Sequence, residues 1–341
     1  MTRRFVLIAL ATAGLVVLVG VGFLTWLGTS RGLVPLRPDS PNAKDEQNLY
    51  VFTGAFASFI FLVVTVPLAA FIIRFRSGGR PRDEDGPQIR GNTRIEITWT
   101  VVPVVILVAI ATFTFVLLPQ INNAPAASNA LNIDVVGRQF YWEFHYPNGV
   151  IAIDEMRAPA NRVVNLTIRA PDWDVIHSWW IPALGGKRDA IPGITNHTWF
   201  KAERTGTLDG RCAEFCGVLH AFMRMSVNVM PPAAFDRWLV SEAAAQRRPT
   251  TLGRETFAGV CAKCHGALGQ GGYARAINNN PLFNDAAATQ RLLTNGTQSG
   301  TKVMPAVGRG WSTHQMSSVI VYLHRNLAPK TVGGGTTTGG G

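Results

Sequence analysis

The chain has 341 residues, 47% of them hydrophobic, and a formal net charge of +11, which leaves room for more than one compact unit. A basic balance of this size can indicate a nucleic-acid partner. Part of the charge, however, lies in an arginine-rich loop between apolar segments, where it is typical of a membrane-topology signal. We therefore expect no nucleic acid among the partners. The basic C-terminal segment is compatible with contact with an acidic protein or with membrane lipid, but a merely solvated basic face is the better interpretation.

Three long apolar runs occupy the first third of the chain, at 5–27, 49–73 and 97–118. Each exceeds the roughly 20 residues that a helix needs to cross the hydrocarbon core of a bilayer. The second and third runs predict a transmembrane hairpin over residues 45–120. The first run has the charged start and apolar centre of a signal peptide, so residues 1–28 are either a signal peptide or an extra membrane helix.

Arginines predict the orientation of these helices. By the positive-inside rule an arginine-rich loop lies in the cytoplasm, so the third helix delivers everything after about residue 120 to the outer face of a bacterial cell membrane. The arginines that carry this prediction are Arg3, Arg4, Arg74, Arg76, Arg80, Arg82, Arg90 and Arg94.

The rest of the chain predicts two soluble parts. Segments of residues 128–240 are short, rich in β-branched and aromatic residues and separated by Pro, Gly and Asn, which indicates a small β-sandwich. Residues 252–329 lack strand alternation and carry helical apolar patterns, and "QRRPT" between the two parts indicates a hinge. We expect the Gly/Thr tail at 330–341 to be disordered. The predicted fold class is a membrane-anchored α+β protein with transmembrane helices, a β-sandwich and an all-α part.

In "CAKCHG", Cys261 and Cys264 are followed directly by His265. A C-x-x-C-H run is the attachment sequence of a c-type haem, in which both thiols bond to the porphyrin and the histidine ligates the iron. Zinc sites and redox dithiols also use C-x-x-C pairs, but the exported position and the small helical context favour haem. Met304 is the candidate second ligand, since a Met opposite a His raises the potential of electron-carrying haems. Met316 competes for this role, but it falls on the apolar stripe of the final helix, where packing is the better interpretation.

The other two cysteines lie in "CAEFCGVLHAFM", residues 212–223. A disulfide between Cys212 and Cys216 and a zinc site are the simpler interpretations, but both leave Met223 unexplained. Thiolate, imidazole and a weak methionine ligand on a β-sandwich are the ingredients of a copper site. Two thiolates can bridge two copper ions with one imidazole on each, and His177 in "DVIHSWWIP" supplies an imidazole in addition to His220.

Several motifs, in order along the chain, resemble subunit II of the haem-copper cytochrome c oxidases. They are "GNTRIEITWTVVPVVIL" at the third apolar run, then "DVIHSWWIP", "GKRDAIPG" and "CAEFCGVLHAFM". The resemblance covers about residues 45–240 and implies a cupredoxin-like β-sandwich over 128–240 that holds a dinuclear copper centre, Cu-A. Carried onto this chain, it implies as copper ligands His177, Cys212, Glu214, Cys216, His220 and Met223.

In that family two thiolates bridge the coppers, which implies this role for Cys212 and Cys216. His177 and His220 would each hold one copper, and Met223 would be the weak ligand on one of them. The backbone carbonyl of Glu214 would be the weak ligand on the other copper. The resemblance directs the Glu214 side chain towards a magnesium site at the border with subunit I.

Two further positions follow from the same resemblance. Glu96 in "RIEITW" aligns with the family's glutamate at the mouth of a proton pathway, and an ordinary interfacial carboxylate is the competing interpretation. Phe140 stands where the family usually has a tryptophan associated with electron transfer from a soluble cytochrome c. The fused haem part offers a reason for this departure, since a tethered donor acts at high effective concentration.

Residues 252–329 resemble class I cytochrome c. "NNNPLF" matches the proline loop that accepts a hydrogen bond from the iron-ligating histidine, and "VIVYLHRNL" matches the C-terminal helix. The resemblance implies a cytochrome c domain with haem c bonded to Cys261 and Cys264, and with His265 and Met304 on the iron.

Together the two resemblances imply a subunit of a respiratory cytochrome c oxidase that passes electrons from haem c to Cu-A and on to subunit I. The apolar runs contain no histidine, so we expect oxygen reduction in subunit I and no catalytic residue here. Expected partners are subunit I, the other oxidase subunits, and a donor such as a cytochrome c or the cytochrome bc complex. The alternatives are a subunit of a Cu-A-type nitric oxide reductase and, from another class, a copper-storage or copper-delivery protein, against which the covalent haem argues.

Overall fold

The computed structural model describes residues 3–31, 37–74, 88, 90–299 and 302–329. The chain divides into two compact units, Met1–Asn123 and Ala124–Gly341. Most of the arginine-rich loop that predicts the orientation lies outside the described residues, as does the tail at 330–341.

The first unit consists of three helices, α1 (Arg3–Ser30), α2 (Pro41–Arg74) and α3 (Thr93–Asn122). Helices α2 and α3 are long and apolar enough to cross a membrane, with mean hydropathies of 2.6 and 2.9 in their most apolar stretches. The rings of Phe52 in α2 and Phe113 in α3 pack with their centroids 4.4 Å apart. The apolar runs of the sequence thus form helices, as their length and composition require.

The second unit begins with a β-sandwich of two main sheets. The five-stranded sheet contains, in spatial order, β3 (Ile151–Ile153), β2 (Tyr141–His145), β1 (Leu131–Arg138), β5 (Val164–Arg169) and β8 (Asn196–Phe200). The three-stranded sheet contains, in spatial order, β4 (Glu155–Pro159), β10 (Arg224–Met230) and β9 (Gly206–Arg211). A short ribbon pairs β6 (His177–Trp179) with β7 (Arg188–Ala190), and helix α4 (Pro232–Gln246) follows the last strand of the sandwich.

Alternation of side chains along the strands builds the core of this sandwich. In β5 every second residue is apolar and faces inward, and Val164, Leu166 and Ile168 are almost completely buried. The same pattern in β10 buries Val227 and Val229 between the sheets. The β-sandwich that the sequence predicts is therefore confirmed, and it provides the rigid frame from which the loops extend.

The C-terminal helical part contains helices α5 (Pro249–Thr256), α6 (Ala262–His265), α7 (Ala286–Asn295) and α8 (Thr313–Leu327). Helix α5 crosses α8 so closely that a Cβ at Gly253 would lie 2.1 Å from the carbonyl oxygen of Ser318, so only glycine fits there. A small hairpin of β11 (Thr297–Ser299) and β12 (Lys302–Met304) was not anticipated from the sequence. Strands of three residues are too short to show an alternating pattern.

The predicted hinge at "QRRPT" begins at Gln246, which hydrogen bonds attach to the sandwich and to the helical part. Helix α4 ends at Gln246, whose side chain is buried and accepts a hydrogen bond from the backbone N–H of Ile151. Its amide nitrogen donates to the carbonyl of Ile151 and to the carboxylate of Glu255, each at 2.9 Å. The β-sandwich and the helical part consequently belong to one compact unit.

Strand β2 is the element on which both soluble parts pack. Trp142 and Phe144 point into the core of the sandwich and are completely buried. Tyr141 points the other way, into the core of the helical part, where its hydroxyl donates to the carbonyl of Val307 at 2.8 Å. The indole N–H of Trp311 donates to the same hydroxyl at 3.0 Å. One strand thus has both of its faces buried.

Glu143, on the same face of β2 as Tyr141, is the charged centre of this contact. Its carboxylate accepts hydrogen bonds from Arg138 at 3.0 Å and, across the contact, from Gln315 in α8 at 2.9 Å. His145 lies 3.3 Å from the same carboxylate. Burial by itself raises the pKa of Glu143, but the hydrogen bond with His145 and the charge of Arg138 outweigh burial and lower the pKa to about 2. The side chain therefore stays charged in the folded protein at neutral pH.

We predict that Glu143→Gln lowers the free energy of unfolding by about 3 kcal/mol, because the substitution leaves the buried Arg138 without its charged partner. The pKa in the folded state lies below the ordinary value of 4.5, so this stabilisation is present above that pH and is lost as the pH falls towards 2. Denaturant unfolding followed by tryptophan fluorescence, measured between neutral and acidic pH, tests both effects.

Glu155→Gln is the matched control, because Glu155 lies in β4 with its side chain 47% exposed and pairs only with the half-exposed Arg157. A pair of this kind contributes about 0–1 kcal/mol. Equal losses in the two variants would contradict the role that we assign to Glu143.

Candidate metal and haem sites

The donor atoms of three residues converge at one end of the sandwich. His177 begins β6, while Cys212 and Cys216 lie in the loop that follows β9. All three are buried, and one donor atom from each lies within 4.8 Å of the other two. Three metal-binding side chains from two separate segments thus form a compact cluster.

The remaining predicted copper ligands of the same loop lie around Cys216 and Cys212. The Sγ atom of Cys216 lies 3.6 Å from Nδ1 of His220 and 3.7 Å from Sδ of Met223. The Sγ atom of Cys212 lies 3.2 Å from the backbone carbonyl oxygen of Glu214. The structure therefore brings together every residue that the sequence predicts for this site.

Backbone hydrogen bonds give the loop its shape. The N–H of Cys212 donates to the carbonyl of Met223 at 3.0 Å, which closes the loop on itself. Gly217 has a φ of +127°, a conformation that favours glycine, and a Cβ there would lie 3.1 Å from the ring of Phe140 and 3.2 Å from the side chain of Gln139. Glycine is thus required both by the backbone and by the close approach of these neighbours.

Asp174 orients His177 and was missed by the sequence reasoning. One carboxylate oxygen of Asp174 lies 3.3 Å from Nε2 of His177. The other ring nitrogen, Nδ1, is buried and has no hydrogen-bond partner within the part of the chain that the structure describes. A carboxylate on one nitrogen and a free second nitrogen are the usual arrangement of a metal-binding histidine. An acidic residue shortly before a candidate ligand is the signal that could have identified Asp174.

The two thiols of the loop shift each other's pKa in opposite directions. A hydrogen bond from Cys216 lowers the pKa of Cys212 to about 4, against the opposing effect of burial. The same hydrogen bond raises the pKa of Cys216, because its proton is held by the neighbouring thiolate.

The side chain of Glu214 points away from the sulfur atoms and is 45% exposed. Lys187 lies between two carboxylates, 3.2 Å from Glu214 and 3.0 Å from Asp189. Asp189 also accepts a hydrogen bond from Ser178, the residue after His177. The magnesium site remains a prediction.

The C-x-x-C-H segment lies at the start of the helical part. Cys261 ends a π-helical turn (Phe257–Cys261), and Cys264 and His265 belong to α6. Nδ1 of His265 lies 2.7 Å from the carbonyl oxygen of Arg275, which leaves Nε2 available for iron. The predicted acceptor in "NNNPLF" is wrong, because Nδ1 of His265 instead contacts the Arg275 carbonyl, which lies before that segment.

The two candidate methionines of the helical part lie in different surroundings. Met304 is at the end of β12 and packs, half-buried, against the hydrophobic cluster that contains Cys261. Met316 is buried within α8, where its methyl group would lie 2.9 Å from a Cβ at Gly308. Met316 is therefore a core residue, and Met304 stays the candidate iron ligand.

Glu96 lies in the first turn of α3 and is exposed in this chain taken alone. Its carboxylate accepts a hydrogen bond from the backbone N–H of Asn92 at 3.0 Å, and the Asn92 side chain accepts one from Ile95. This reciprocal pair is a helix cap. Capping accounts for a carboxylate at this position, and the proton-pathway role remains a prediction.

Three family models match this chain. Residues 35–117 match "Cytochrome C oxidase subunit II, transmembrane domain", and residues 150–230 match "Cytochrome C oxidase subunit II, periplasmic domain". Residues 248–323 match "Cytochrome C oxidase, cbb3-type, subunit III". The matches cover helices α2 and α3, most of the sandwich and the helical part in turn.

Relatives of known name agree with these models. The cytochrome c oxidase subunit 2 of Alkalihalophilus pseudofirmus is 36% identical in an alignment of 263 residues, and the alignment covers 73% of this chain and 75% of the relative. The probable cytochrome c oxidase subunit 2 of Rickettsia conorii is 35% identical in an alignment of 225 residues that covers 60% of this chain and 70% of the relative. A crystal structure of the periplasmic domain of cytochrome oxidase subunit II from Bradyrhizobium japonicum is 34% identical and covers 36% of this chain and 99% of that chain, with a TM-score of 0.34.

The length and identity of the match to the Alkalihalophilus protein, taken with the three family models, lead to one conclusion. The chain belongs to the cytochrome c oxidase subunit 2 family and carries a C-terminal cytochrome c domain.

Proposed function

We propose that this chain is the electron-accepting subunit of a respiratory cytochrome c oxidase, in which haem c receives electrons, a dinuclear Cu-A centre accepts them, and subunit I uses them to reduce oxygen. The family itself implies copper, haem c and other oxidase subunits. One observation carries the finer proposal. Two consecutive residues of β2 belong to the two hydrophobic cores, Trp142 to the core that contains Cys212 and Cys216, and Tyr141 to the core that contains Cys261.

The residues of the first site fit copper. Two thiols, two imidazoles and a thioether are soft and borderline donors, which favour copper over hard cations. His177, Cys212, Cys216 and Met223 are each no more than 3% exposed, so the protein excludes water from them. The buried Nδ1 of His177 has no hydrogen-bond partner among the described residues, and it is a donor atom that a metal could bind together with the sulfur atoms of Cys212 and Cys216. Cys212 and Cys216 would supply the thiolates that hold both coppers, His177 and His220 would supply the imidazoles, and the Met223 sulfur and the Glu214 carbonyl would be the weaker donors.

The residues of the second site fit a covalently bound haem. Burial raises the pKa of Cys261 to about 12 and also raises that of Cys264. Three large apolar side chains of the helical part are more than half exposed, namely Leu268, Tyr273 and Val303. A porphyrin would cover apolar surface of this kind. We assign Cys261 and Cys264 as attachment residues, and His265 and Met304 as iron ligands.

When bound, these two groups supply one-electron transfer, and the residues of this chain hold them in place. Asp174 keeps the His177 ring in position, and the carbonyl of Arg275 does the same for His265. Fixed ligands and excluded water keep the change in structure on gaining an electron small, which favours fast transfer.

The proposal extends to the surroundings of the chain. Helices α2 and α3 would anchor it in a bacterial cell membrane, with the sandwich and the cytochrome c domain on the outer side. Glu214 would reach a magnesium ion at the border with subunit I, and Glu96 would stand at the mouth of a proton pathway. The names of the relatives favour the oxygen reductase over a nitric oxide reductase and over a copper-storage or copper-delivery protein.

We predict that the full-length protein, matured with haem and loaded with copper, shows an EPR spectrum of one electron shared equally by two copper ions. We also expect the optical bands of a low-spin haem c with His and Met ligands. The EPR spectrum tests the copper assignment and the optical spectrum tests the haem assignment. A single-copper spectrum would contradict the dinuclear site, and a high-spin haem would contradict Met304.

We predict that Asp174→Asn weakens copper binding by about 10-fold or more, because residues that orient a ligating histidine typically contribute this much. Competition titration against a copper chelator measures the affinity. Asp172→Asn, the same substitution at an exposed position of the same loop, is the control and should keep the wild-type affinity. Unchanged affinity in the Asp174 variant would show that His177 does not depend on it.

A further inference from the structure

Lys263, at a variable position of the C-x-x-C-H segment, makes two polar contacts with the β-sandwich. Its ammonium group donates a hydrogen bond to the backbone carbonyl of Phe140 at 2.9 Å. It also forms an ion pair with Asp154 at 2.6 Å. The Lys263 side chain is only 19% exposed, so both contacts are shielded from water.

Asp154 is itself held firmly. Its other carboxylate oxygen accepts a hydrogen bond from the backbone N–H of Trp142 at 3.0 Å. Its backbone carbonyl accepts one from the N–H of Ser226 in the second sheet at 2.9 Å. The ammonium group of Lys263 is therefore confined between two acceptors that the sandwich positions.

Gln139, the residue before Phe140, contacts the loop of residues 212–223 that carries Cys212 and Cys216, which we call the copper loop. The side-chain amide of Gln139 donates a hydrogen bond to the backbone carbonyl of Cys216 at 2.7 Å. The backbone N–H of Gln139 donates to Asp174, the residue that orients His177. Gln139 and Phe140 thus lie between the segment that carries Cys264 and the loop that carries Cys216.

We propose that Lys263 and Gln139 are positioning residues for electron transfer from haem c to Cu-A, and that together they form a hydrogen-bonded bridge between the two sites. The bridge runs from Cys264 along the backbone to Lys263, through its hydrogen bond to Phe140, and through Gln139 to Cys216. This inference rests on the proposed function. In the step, one electron leaves ferrous haem and one is gained by oxidised copper, with no bond formed or broken and no proton moved.

The physical reason lies in how electrons tunnel. Tunnelling decays less steeply along covalent bonds and hydrogen bonds than across a gap between atoms in van der Waals contact. The bridge contains two hydrogen bonds, of 2.9 and 2.7 Å, and otherwise only covalent bonds. Its far end, the Cys216 carbonyl, is separated from the Cys216 sulfur only by bonds of the same residue.

The test uses the full-length protein with haem and copper bound, in which haem c is reduced by a light pulse and the arrival of the electron at copper is followed optically. Lys263→Met and Gln139→Leu remove the two hydrogen bonds and should each slow the transfer by about tenfold, the effect typical of losing an outer hydrogen bond at a metal site. Lys263→Arg keeps a donor at this position and should restore most of the rate.

Arg309→Met is the matched control. Arg309 also carries a positive charge on the cytochrome c domain and contacts the sandwich, where its guanidinium lies 4.7 Å from the centre of the Trp173 ring. It does not belong to the bridge, so this variant should transfer electrons at the wild-type rate. A slowing equal to that of Lys263→Met would mean that loss of charge or docking, and not the bridge, controls transfer.

Two further readouts separate a bridge from a purely structural role. The reduction potentials of both centres and the haem-to-copper distance measured by pulsed EPR should be unchanged in Lys263→Met and Gln139→Leu. A slower rate with a longer distance or shifted potentials would overturn the proposal, and so would an unchanged rate in both variants. A wild-type protein with both centres intact but without transfer between them would instead overturn the proposed function.

Discussion

The burial of both faces of strand β2 is the constraint on which the soluble unit depends. Trp142 completes the core of the sandwich, and Tyr141 beside it completes the core of the cytochrome c domain. Glu143 is charged and fully buried, so it must keep its contacts with Arg138 and with Gln315 of the other domain. The two domains consequently hold each other in one arrangement, and a flexible tether between them is not required.

The copper loop shows how a site acquires precise geometry from irregular backbone. Its sulfur atoms come from a loop, yet the loop is closed by the hydrogen bond from Cys212 to Met223 and is packed at Gly217 against Phe140. His177 comes from a different segment and is held by Asp174. Because the loop is closed on itself and His177 is held by a second residue, the protein itself positions these donor atoms.

Phe140 takes part both in the packing of the copper loop and in the contact between the two domains. The resemblance to subunit II predicts at this position a tryptophan associated with electrons arriving from a soluble cytochrome c. In this chain the backbone carbonyl of Phe140 accepts a hydrogen bond from Lys263 of the attached cytochrome c domain. The haem attachment chemistry places no demand on the two residues between the cysteines. A lysine at this position can therefore contact the other domain without affecting haem attachment, and in the inferred bridge Lys263 makes this contact.

The sequence by itself determined the apolar helices and the β-sandwich, and it supplied every side chain that we propose for the copper and haem sites, because length, alternation and ligand chemistry are local properties. It could not determine the partners that lie far along the chain. Gln315 on Glu143, Lys263 on Phe140 and the carbonyl of Arg275 on His265 are such partners. A hydrogen bond of this kind depends on how two surfaces meet, and many residues of a sequence offer the same donor or acceptor. Only the tertiary structure decides which of these donors and acceptors come within hydrogen-bond distance of each other.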